Sequence, residues 1–230
     1  MASSLNKFKV YLEIGKKRTV AGAIDWPGWC RIGRDEASAL QALLECAPRY
    51  ARVVGAASLG FRPPVDARAI TVVERLKGNM TTDFGAPAIA PAADARPVTP
   101  IELERLKQVL NACWQTFDTA VQAAADKELA KGPRGGGRDL DKIVAHVVGA
   151  DEAYVGQLGL KIKWAADDAR GREQSQTWQA ITSALSASAR GELPIRGPRG
   201  GLRWTPRYYS RRAAWHILDH AWEIEDRAKE

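Results

Sequence analysis

At 230 residues, 45% hydrophobic and 27% charged, the chain carries enough apolar material for one large core or two modest ones. It has no run of about 18 apolar residues, and its N-terminal MASSLNKFKVYLEIGKKR lacks an apolar centre. A membrane-spanning helix and a secretory signal are therefore not expected, and the cytoplasm is the expected location.

The net charge of +7 favours an anionic partner, nucleic acid or an acidic small molecule. Cys30, Cys46 and Cys113 are odd in number and form no CxxC pair. That argues against a disulfide framework and against a cysteine zinc site, and leaves three reduced, mostly buried thiols.

The first 97 residues mix strand and helix signals. Lys9 to Ile14 alternates, Gly15-Lys16-Lys17 turns, and Arg18 to Ile24 reads as a second strand, so a hairpin is expected. Asp25-Trp26-Pro27-Gly28 breaks the chain before a short strand at Trp29 to Gly33. From Asp35 to Val54 the apolar residues Ala39, Leu40, Leu43, Leu44 and Ala47 make a helical stripe. Ala69 to Leu76 suits a further strand. Residues 84–100, with four prolines and no amphipathic period, read as a linker or an extended surface arm.

From residue 98 onward the pattern is helical. Thr99-Pro100-Ile101-Glu102 combines a cap, a first-turn proline and a capping-box glutamate, opening a helix expected to run to about Ala130. A second helix is expected from Asp139 to Gly159 and a third from Glu173 to Ala189. A fourth opens at Thr205-Pro206 and continues to the C-terminus. The fold class expected is a small α+β domain (1–97) followed by an all-α antiparallel four-helix bundle (98–230). Gly132-Pro133-Arg134-Gly135-Gly136 recurs as Gly197-Pro198-Arg199-Gly200-Gly201, each copy ahead of a histidine-bearing helix. In simple up-down order these loops would share one end of the bundle and could cover a common pocket.

The chain has three histidines. His216 and His220 are four apart and so share one helix face, and His146 lies on another helix. Three neutral imidazoles with open positions suit zinc, nickel or ferrous iron. Glu223 extends the same face, as a fourth ligand, an acceptor that orients an imidazole, or a general base.

With these segments in view, residues 100–230 resemble the DinB-like, or YfiT-like, metalloprotein superfamily. DKIVAHVVGADEAY matches that family's histidine on the second helix, and RRAAWHILDHAWEIEDR its HxxxH pair on the fourth. The resemblance implies a four-helix bundle with a divalent ion on His146, His216 and His220. It also implies a metal-dependent hydrolase, or a transferase or isomerase using a low-molecular-weight thiol. The segment DWPGWCRIGRDEASALQALLECA is similar to the HicB pattern. It supports an α+β domain without an antitoxin role, since no DNA-binding element follows.

Such a site would activate water or a thiol toward a small acidic substrate, with Glu223 moving the proton. Arginines crowd the approach to the fourth helix, and Arg199, Arg203, Arg211 and Arg212 are the candidate substrate-binding groups. Because Trp204, Tyr208 and Tyr209 lie among them, single-stranded nucleic acid is the rival partner. It is disfavoured by moderate net charge and by the nearby Glu223, Glu225 and Asp226. The alternative function is a non-enzymatic binding or regulatory module acting through the α+β half and the arginine-aromatic loop. A homodimer is allowed under either reading.

Overall fold

The computed structural model describes residues 7–131, 137–160 and 174–228. The chain divides into two compact units, 1–96 and 97–230.

In the first unit, β1 (Phe8–Ile14) and β2 (Thr19–Ala23) form the expected antiparallel hairpin, with Leu12 opposite Ala21. β3 (Cys30–Gly33) adds to β2, and β4 (Ile70–Lys77) pairs parallel with β1, giving the order β3-β2-β1-β4. Every residue of β2 is buried, so the sheet is covered on both faces at its centre.

α1 (Glu36–Gly55) is opened by a reciprocal capping box between Asp35 and Ser38, which stabilises its first turn by about 1 kcal/mol. Its stripe of Ala39, Leu43, Ala47, Tyr50 and Val54 is buried. The indole of Trp29 donates to the Leu43 carbonyl at 2.9 Å, and the Tyr50 hydroxyl donates to the Pro27 carbonyl at 2.8 Å. These bonds satisfy the polar ends of two aromatics whose rings fill the core.

Residues 84–96 are held as an arm, not left as a free tether. α2 (Met80–Phe84) precedes them, and Pro87, Pro91 and Asp94 are buried. The arm lacks large apolar side chains at any regular spacing. It is fixed instead through its backbone: Glu13, fully buried on β1, accepts from the Thr82 hydroxyl and from the Ala88 and Ile89 amides. Glu74 on β4 accepts from the Ala92 amide at 3.0 Å.

The second unit contains α3 (Pro100–Ala123), α4 (Leu140–Leu158), α5 (Gln174–Ala189) and α6 (Pro206–Arg227), packed against one another. The cap residues are those the sequence marks: Thr99, Asp139 and Thr205 each accept from a first-turn amide. α3 stops at Ala123, short of the expected Ala130. Beyond its end Leu129 pairs with Ala228, and the Ala130 amide donates to the Arg227 carbonyl at 2.7 Å, which draws the chain off the helix axis.

The helix directions correct the expected alternation. Arg207, in the first turn of α6, reaches Glu102 in the first turn of α3 at 2.8 Å, and the chain just beyond the end of α3 meets the end of α6, where the Ala130 amide donates to the Arg227 carbonyl. α3 and α6 are therefore parallel. α4 opposes α6: the Trp204 amide donates to Gln157 at the end of α4, and Arg227 donates to the Arg138 carbonyl ahead of its start. The simple alternation assumes short connections between successive helices, and the long interval 159–173 between α4 and α5 removes that constraint. The chain just before α4 and the 197–201 turn accordingly lie at opposite ends of the α4–α6 pair. Residues 132–136 themselves lie outside the described residues.

Candidate metal centre

The antiparallel seam of α4 and α6 brings the three histidines together. His216 and His220 are one turn apart on α6 and buried, with 6% and 8% exposure, and His146 faces them half-buried from α4. The Nε2 atoms of His146 and His216 are 3.2 Å apart, and ligand nitrogens of all three residues lie within 4.8 Å of one another. An ion with bonds of about 2.0–2.1 Å in tetrahedral geometry needs nitrogens roughly 3.3 Å apart, so the first pair is already at ligand spacing. Among the described residues this is the group of three that could hold a metal ion.

At His216 and His146 the electrostatics favour the neutral imidazole, the form that binds metal. Burial, reinforced by His220 and His146, lowers the His216 pKa to about 3. Burial and the neighbouring His220 lower that of His146 as well.

Glu223 takes one of the roles open to it from the sequence. Its carboxylate accepts from His220 Nδ1 at 2.8 Å and from Arg227 Nη1 at 2.5 Å. A carboxylate only accepts, so Nδ1 of His220 carries a proton, and in the neutral imidazole the Nε2 lone pair is left for a ligand. Arg227 is fixed in turn by the carbonyls of Ala130 and Arg138. The ionised form of Glu223 is favoured by the His220 hydrogen bond first and by Arg227 after it.

Of the four candidate arginines, the structure places Arg212 beside the cluster. It is one turn before His216 on α6, with its guanidinium 4.7 Å from the Trp215 ring and 5.7 Å from that of Tyr154. Tyr154 itself lies 5.7 Å from the His216 ring. Arg211 is buried on α6. Arg199 and Arg203 are not brought to the histidines. Arg199 is exposed in the turn closed by the Gly197–Gly201 hydrogen bond. Arg203 lies over Gly159 at the C-terminal end of α4, where the left-handed backbone and absent side chain make room for it. That end is three turns, about 18 Å, from His146 along the helix.

Asp151, on the same helix as His146, is a buried acid that the sequence reading passed over. It is 2% exposed, with neither carboxyl oxygen hydrogen-bonded within the protein, and burial alone raises its pKa well above the carboxylate range. A signal was present: Ile143, Val147 and Val155 step by four along one buried stripe of α4, and Asp151 occupies the vacant step.

The cysteines supply no competing site. All three are free and buried, and burial raises the thiol pKa of Cys46 and Cys113. Among the described residues no helix is long and apolar enough to cross a membrane. Comparison of the chain with protein families, with curated proteins and with solved structures returns no match.

Proposed function

We propose that the protein is a divalent-metal-dependent enzyme of the DinB-like type, its second unit a four-helix bundle. The observation that carries the reading is the convergence of His146, His216 and His220 from two opposed helices. His146, His216 and His220 would hold the ion, which is zinc, nickel or ferrous iron on the chemistry of three imidazoles. When bound, the ion supplies Lewis acidity that brings water or a low-molecular-weight thiol to its deprotonated form near neutral pH.

The protein's own groups do the rest. Glu223 positions His220 and fixes its tautomer, and Arg227 holds Glu223 in place. Its hydrogen bond to His220 supports a positioning role for Glu223, beside the proton-transfer role expected from its sequence position. Arg212 offers a cation to a small anionic substrate, between aromatic walls that strengthen the attraction by excluding water.

Metal analysis of protein purified without a histidine tag tests the proposal. About one equivalent of a divalent transition metal per chain after reconstitution is expected, falling several-fold in His216→Ala. Less than about 0.1 equivalent with unchanged thermal stability would refute it.

A further inference from the structure

The seam of α4 and α6 holds a second group of polar atoms next to the histidines. Asp151 on α4 and Tyr209 on α6 are buried, and neither its carboxyl nor the phenol has a hydrogen-bond partner within the protein. The two groups lie close enough to influence one another electrostatically. One turn along α6, Arg212 Nη1 is likewise buried and unpartnered, as are Trp215 Nε1 and His216 Nδ1. Buried polar atoms are normally satisfied, because leaving one unpaired is costly. Five such residues on one seam mark a place that something polar fills.

We propose that Asp151, Tyr209 and Arg212 form a carboxylate-binding subsite that takes a small carboxylic-acid ligand beside the three-histidine cluster. The assignment follows from the inventory of the unpartnered groups. The guanidinium, the phenol, the indole and the Nδ1–H of a histidine bound through Nε2 all donate. Burial favours the protonated form of the Asp151 carboxyl, in which it donates as well. A set of donors calls for a group that only accepts. With Arg212 as the one unpartnered cation in the set, charge balance favours a monoanionic carboxylate over a phosphate dianion. Arg212 and His216 are one turn apart, about 6 Å along the helix, so a carboxylate on Arg212 leaves the rest of a short molecule at the histidines. The inference deepens the proposed function and rests on it only in calling this ligand a substrate.

The test is a titration of the full chain, metal-free and zinc-loaded, with sodium acetate, monitored through the indole N–H resonance of Trp215. Acetamide and inorganic phosphate serve as uncharged and dianionic controls. Acetate should give a saturable shift in both forms of the protein, and acetamide and phosphate should bind at least tenfold more weakly. Arg212→Gln should weaken acetate at least tenfold. Arg212→Lys, which keeps the charge and loses the fork, should fall between. Asp151→Asn, which keeps a neutral donor, should stay within about threefold of the parent, and Asp151→Leu should weaken binding at least fivefold.

Absence of a saturable shift would mean that ordered water alone fills the seam, and would overturn the proposal. So would preferential binding of phosphate, or acetate binding that needs zinc and survives Arg212→Gln. Metal content is measured on the same samples. Arg212-dependent acetate binding by a chain that takes up no metal would sustain the subsite while removing the metal reading. Full metal content without acetate binding would do the reverse.

Discussion

His146 and His216, 70 residues apart in sequence, face each other across the α4–α6 seam with their Nε2 atoms 3.2 Å apart. With an ion between them these are two ligands. Without one, the contact is a single hydrogen bond between two imidazoles, one of which must give its Nε2 a proton. The two states differ in stability, in pH response and in sensitivity to the groups behind the rings.

Metal should stabilise the helical unit by mass action. At a free concentration of 100 times Kd, zinc adds about 2.7 kcal/mol. For a domain of this size that raises Tm by roughly 5–10 °C. Differential scanning fluorimetry with and without zinc should show the rise in the parent chain and its loss in His146→Ala and His216→Ala.

The metal-free protein should lose stability as pH falls. His216 has a folded-state pKa of about 3, below its ordinary value near 6.5. Between these values the unfolded chain binds a proton that the folded chain does not, so acid favours unfolding throughout that window. At pH 5 the loss relative to pH 8 is about 2 kcal/mol from His216. His146, shifted in the same direction, adds to it. Urea titrations at pH 8 and pH 5 should show this difference, and His216→Phe should reduce it.

Glu223→Gln should leave the fold intact and weaken metal binding about 10- to 100-fold, the usual effect of removing a partner that orients a ligand. Arg227→Met should act in the same direction through Glu223. Competition against a chromophoric chelator measures both, and equal affinities in parent and Glu223→Gln would remove Glu223 from the positioning role.

In the first unit, Glu13→Ala should cost about 2–4 kcal/mol, because it strips a buried acceptor from the Thr82 hydroxyl and the Ala88 and Ile89 amides. Hydrogen exchange should quicken at residues 88 and 89 before the β1–β2 hairpin is affected.

The histidine cluster was readable because its signals are local. HxxxH fixes two imidazoles on one face, and the capped helices beginning after Thr99, Asp139 and Thr205 fix which segments are helical. What depends on the path between elements was not readable. Two Thr-Pro caps say where α3 and α6 begin, and nothing in them says that Arg207 and Glu102 will meet and make the helices parallel. Residues 84–100 stayed open between a linker and a surface arm for another reason. Their anchors are backbone amides on Glu13 and Glu74, and proline-alanine composition does not record amides. Arg199 and Arg203 drew attention by their charge, but charge alone does not tell which end of a helix a loop will reach. Asp151 was legible only to a reading that treats a polar residue on an apolar stripe as a signal in itself.

X-ray absorption at the zinc edge of the zinc-loaded chain tests the central claim most directly. The account predicts one zinc per chain with three imidazole nitrogens at about 2.0–2.1 Å, one of them lost in His146→Ala. A zinc shell without three histidines, or one unchanged by His146→Ala and His216→Ala alike, would contradict it.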